Sequence, residues 1–130
     1  MIRIAFAVVT LATPAAADQL PPPDYFVTSA FATSTAQAIA VSCSTLSINP
    51  VAMSQYTDAV LAALEADGFT QDNLAERMAD PSDAIAVLQS DFLERHDLAD
   101  GASEDRVCAA GRLEIEDGTE LGALLTEVEP

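Results

Sequence analysis

The sequence predicts an all-α protein: a compact bundle of about five helices, with helices 1 and 5 antiparallel and linked by one disulfide. Three observations carry this. Apolar residues recur at helical spacing between Met53 and Phe92, bounded by capping signals. The two cysteines, Cys43 and Cys108, sit at the ends of stripes of small residues. No alternating run long enough for a strand competes.

The chain opens with Met1-Ile2-Arg3, an apolar run Ile4–Ala12 interrupted only by Thr10, and Thr13-Pro14-Ala15-Ala16-Ala17. A cation, a short apolar run and an A-x-A site in that order define a secretory signal peptide over residues 1–17, with cleavage expected between Ala17 and Asp18. The run is far short of the roughly 20 residues a membrane span needs. Every later apolar stretch is broken by Ser, Thr, Gln or charge, so no membrane span is expected in the mature chain. Export places the protein in the periplasm or outside the cell. Residues 18–130 then form the mature chain, a length suited to one domain with one modest core.

Residues 18–23, ending in three prolines, predict an extended lead-in, because proline cannot donate a backbone hydrogen bond. Asp24 is the expected N-cap of helix 1, about residues 24–43, whose alanines favour helix. No charged residue occurs from Tyr25 to Thr57, which in so acidic a chain signals burial or contact. Asn49-Pro50 is a cap followed by proline at the first helical position, and helix 2 is predicted over about 50–67. Met53, Tyr56, Val60, Leu61 and Leu64 line one side of it, and Gly68 stands where a left-handed terminal residue belongs. Thr70 caps a short helix 3, about 71–79, with Leu74 and Met78 four apart. Asp80-Pro81 starts helix 4, about 81–97, with Ile85, Leu88 and Phe92 inward.

Ser103 is the expected N-cap of helix 5, with Glu104 and Asp105 opposing the positive end of the helix dipole. It is predicted to run to about 126, with a break at Gly118 into two shorter helices as the alternative. From Cys108, helical steps reach Gly111, Ile115, Gly118, Gly122 and Leu125; back from Cys43 they reach Ala40, Ala36, Thr33 and Ser29. Each interior glycine costs roughly 1 kcal/mol relative to alanine, so three in one helix call for close approach of the facing stripe, or else mark a kink.

An exported chain meets an oxidising compartment, so Cys43 and Cys108 are expected to pair. A loop of that size is worth about 4 kcal/mol in the chain-entropy description. Neither cysteine has another Cys or a His at metal-ligand spacing.

The chain carries 21 acids against 5 Arg and no Lys, a formal charge of −16. Losing Arg3 with the signal leaves 4 bases against 21 acids, or −17. Such a charge repels phosphate backbones and anionic lipid, arguing against nucleic-acid and membrane-surface binding and leaving a basic protein partner open. His96, the single histidine, is expected at the surface near the end of helix 4, where a cation suits the dipole. With one histidine and no G-x-S-x-G turn, no nucleophile–base arrangement is expected except around that residue. The acid-rich stretches 97–105 and 114–120 lack the alternating spacing of a calcium loop, so neither metal nor cofactor is expected.

Cys43-Ser44-Thr45-Leu46-Ser47 after an alanine-rich helix, and Cys108-Ala109-Ala110-Gly111 leading through Glu114-Ile115 and Gly118 to Leu121-Gly122 and Leu124-Leu125, resemble a family of small exported bacterial proteins. Its members carry one cysteine pair and a domain of unknown function. The resemblance covers most of the mature chain and implies a helical, disulfide-linked periplasmic domain, but no activity, ligand or catalytic residue. The leading functional expectation is a non-enzymatic interaction or structural module with an unknown protein partner. An acid-stress chaperone and an inhibitor or immunity protein for a basic partner are the alternatives.

Overall fold

The computed structural model describes residues 18–130; the expected signal peptide, residues 1–17, lies outside them. The uncharged segment folds as α1 (Asp24–Ser42), the element against which most of the others pack. Its buried face is Val27, Ser29, Ala32, Ala36 and Ile39, small enough for close approach. Asp24 is its first residue and not its cap: the carbonyl of Pro23 accepts the first helical hydrogen bonds, from Phe26 and Val27. After Cys43 the chain turns into β1 (Leu46–Ile48), then α2 (Pro50–Ala66), where the Asn49 side chain accepts from the Ala52 N–H at 3.1 Å as its cap. Gly68, at φ +84°, follows α2 in the left-handed conformation and lets the Phe69 N–H return to the Leu64 carbonyl at 2.9 Å.

Thr70 and Asn73 exchange side-chain-to-backbone hydrogen bonds across the turn that leads into α3 (Leu74–Arg77), one turn long and shorter than predicted. α4 (Ser82–Arg95) begins after Pro81, with Asp80 accepting from the Ser82 N–H at 2.9 Å. α5 (Glu104–Asp117) starts at the cap Ser103, whose hydroxyl oxygen accepts from the Arg106 N–H.

Of the two readings of the last helix, the break at Gly118 is the one found, with a second helix of only one turn. Gly118 takes φ +65° and ends α5; the Thr119 N–H closes on the Glu114 carbonyl, and the Thr119 hydroxyl oxygen accepts from the Gly122 N–H at 3.0 Å, capping the single turn α6 (Glu120–Ala123). After α6 the chain extends into a strand, β2 (Leu125–Glu127), antiparallel to β1 with Leu46 opposite Glu127 and Ile48 opposite Leu125. Leu46 and Leu125 turn into the core. Three-residue strands are too short to leave an alternation signal in a sequence, so the prediction missed them.

The disulfide joins Cys43 to Cys108, the end of α1 to the first turns of α5, with Cα atoms 5.3 Å apart. From there the helices run in opposite senses, so that Gly111 lies against Ile39 and Leu46. Of the three glycines expected to face α1, only Gly111 does so; Gly118 is a helix stop, and Gly122 rests on the α5 backbone at Glu114.

Two apolar clusters result. The larger joins α1, β1, α4, α5, α6 and β2 through Ala36, Ile39, Leu46, Phe92, Leu98, Ala110, Leu121, Leu124 and Leu125. Met53 and Tyr56 of α2 pack against it, whereas Leu61, expected inward, is exposed. The smaller holds Leu64, Phe69 and Met78. The lead-in is bound to the smaller end: Leu20 donates to the Arg77 carbonyl at 2.7 Å and accepts from the Ala79 N–H at 2.8 Å. Among the described residues no helix is long and apolar enough to cross a membrane.

Candidate functional site

Between α1 and α4, over Phe92, lies a groove of about 330 Å³, within the size range of ligand pockets. α1 contributes Ser34, Thr35, Ala38, Ile39 and Ser42, one face of consecutive helical turns. α4 contributes Gln89, Phe92 and Leu93, again at helical spacing. Leu98, Ala102 and Val107 close the third side. None of these residues is charged, in a chain with 21 acids. Leu93 keeps 40% of its surface exposed although buried neighbours lie on either side of the groove.

The groove is held from below and at one end. Its floor residue Phe92 is buried, meets Phe31 edge-on with centroids 5.9 Å apart, and meets the His96 ring at 4.6 Å. The disulfide fixes one end, since Ser42 and Val107 each precede a bridged cysteine.

Beneath lies the second feature, a buried ionic cluster. Glu114 on α5 is only 3% exposed. Its Oε1 accepts from Arg95 Nη2 at 2.9 Å and meets His96 Nε2 at 2.7 Å, while Oε2 accepts from the Thr119 hydroxyl. Burial pushes this carboxyl up, but the hydrogen bonds from Thr119 and His96 and the charge of Arg95 outweigh it and hold it below the usual glutamate range. His96 is therefore not the surface residue expected, but 5% exposed in its side chain. The imidazole has left the surface because the only buried carboxylate of the cluster gives it a partner, without which its burial would be costly.

Histidine, carboxylate and hydroxyl are thus together, yet in the wrong order for nucleophilic catalysis. The Thr119 hydroxyl bonds the carboxylate and caps α6; it does not meet the imidazole. The cluster ties α4, α5 and α6 to one another.

Some acids of the acid-rich stretches are likewise engaged by neighbouring side chains. Asp97 pairs with Arg106 at 2.8 Å, Glu104 accepts from the Ser44 hydroxyl at 2.8 Å, and Glu120 accepts from the Tyr56 hydroxyl at 3.1 Å. The two bonds from Ser44 hold the Glu104 carboxyl below its usual range. Among the described residues no group of three His, Cys, Asp or Glu is placed to hold a metal ion.

Cys43 and Cys108 are the residues that the sequence singles out, and the structure brings them together. The groove is not among the sequence expectations. Its one sequence signal is the uncharged run from Tyr25 to Thr57, longer than the burial of α1 requires.

Fold and groove define a small disulfide-linked helical domain with an uncharged surface depression. Over residues 18–126 the chain matches the model of the family of unknown function DUF5333, and it belongs to that family. No curated protein and no solved structure matches it.

Proposed function

We propose that the chain is an exported, non-enzymatic interaction module that receives an apolar part of a protein partner in the groove between α1 and α4. The observation that carries this reading is the uncharged lining of the groove in a chain of formal charge −16. Export is supported by the signal-like start, by the disulfide, and by the family match beginning at Asp18, the residue that cleavage would leave first.

Cell fractionation with N-terminal sequencing tests export: the mature chain should begin at Asp18. A photo-crosslinking residue at Ser34 or Gln89, on the groove, should form adducts with a partner in cells, while one at Asp58 on α2 should not. The groove adducts should disappear when Ala38→Gln fills the groove. Absence of adducts there, or adducts that persist in the Ala38→Gln variant, would remove the reading.

One observation favours a second reading, an acid-responsive chaperone. Glu114 is a buried carboxylate that joins three helices, and its protonation would release them. Dye binding and circular dichroism between pH 7 and pH 2 test it; a protein that stays compact and dye-silent is no such chaperone.

A further inference from the structure

The α1 side of the groove and its third side differ in charge. The α1 side belongs to the run Tyr25–Thr57, which has no charged residue. The third side is formed by Leu98, Ala102 and Val107, and the segment that supplies them carries Asp97, Asp100, Glu104 and Asp105, all exposed. Its single base, Arg106, is already bonded to Asp97. Asp100 and Asp105 form no ion pair with the described residues. None of the described arginines lines the groove.

We infer that the groove's partner is a cationic peptide segment, with apolar side chains seated over Phe92 and flanking Arg or Lys side chains against the acidic 97–105 segment. This rests on the groove being the binding site. Charge complementarity decides among the possible partners. An anionic segment is repelled by the 97–105 side with nothing on α1 to offset it, and a neutral one gains only the apolar contact. A cationic one gains that contact together with steering and pairing. The apolar lining supplies the anchor and the acids supply the selection.

The test is selection of a random dodecapeptide display library on the purified, disulfide-bonded protein, followed by anisotropy titration of a recovered peptide. Recovered sequences should combine Leu, Ile or Phe with Arg or Lys, and binding should weaken roughly tenfold between about 25 mM and about 300 mM salt. Asp100→Asn with Asp105→Asn should weaken it about threefold or more, while Asp58→Asn with Asp72→Asn, the same charge change away from the groove, should alter it by less than about twofold. Ala38→Gln should weaken it too.

Neutral or acidic peptides that are still sensitive to Ala38→Gln would overturn the cationic partner and leave the groove reading standing. Basic peptides that ignore Ala38→Gln and respond equally to both asparagine pairs would show adhesion to the acidic coat and overturn both. Recovery of no binding peptide would also overturn both.

Discussion

Glu114 shows how one side chain couples burial, charge and local geometry. Replacing it by alanine leaves His96 buried without its carboxylate, strips Arg95 of its partner and frees the Thr119 hydroxyl, so a loss of about 3 kcal/mol is expected in a urea melt. The pH dependence has a definite sign. A carboxyl held below its ordinary value in the folded state stabilises above the unfolded value and loses that contribution as pH falls through the folded one. Stability should therefore fall below the ordinary glutamate range, and Glu114→Gln should flatten that fall; an unchanged acid limb in the glutamine variant would contradict it. Gly122 makes a second residue-scale case. A β-carbon there would run into the Glu114 carbonyl, so Gly122→Ala should cost about 2 kcal/mol or more. Gly101→Ala, with open space around it but φ +96°, should cost only about 1 kcal/mol, and paired thermal melts separate the two. None of this is legible in the sequence. Glu114 is one acid among 21, and the partners that bury it lie 18 and 19 residues upstream.

At the scale of elements, what is readable is local. Asn49 and Ser103 cap helices through their own side chains, and Gly68 and Gly118 stop helices through their own φ, so these boundaries follow from a few adjacent residues. The strand pair β1–β2 joins residues far apart in the chain, Ile48 to Leu125, and its three-residue members carry no period of their own. The groove is illegible for the same reason, since its sides come from α1, α4 and α5. The disulfide is readable because two cysteines leave only one pairing. Its removal bears on α1 and α5 together: Cys43→Ser with Cys108→Ser should cost about 4 kcal/mol in chain entropy. Hydrogen exchange should quicken at Ser42 and Val107, the groove residues next to the bridge. Unchanged protection there would mean that packing of Gly111 on Ile39 holds this end unaided.

For the whole molecule, charge sets the conditions under which the fold persists. Removing Arg3 from the total leaves −17 on residues 18–130, spread over exposed faces of α2, α4, α5 and the connecting turns. The described residues set only two arginine–carboxylate pairs against it, Arg95 on Glu114 and Arg106 on Asp97, while His96 is hydrogen-bonded to the same Glu114. Salt acts on both terms in opposite directions: it screens the long-range repulsion among acids and weakens the exposed Arg106–Asp97 pair. The Arg95 pair on Glu114 is buried on the carboxylate side and is screened less. Repulsion thus dominates the salt response. Raising sodium chloride from about 10 mM to about 200 mM should raise the thermal midpoint by a few degrees, since relief of about 1 kcal/mol shifts a domain of this size by roughly 4 °C. A midpoint that falls with salt would mean that the few attractive pairs outweigh the coat of acids.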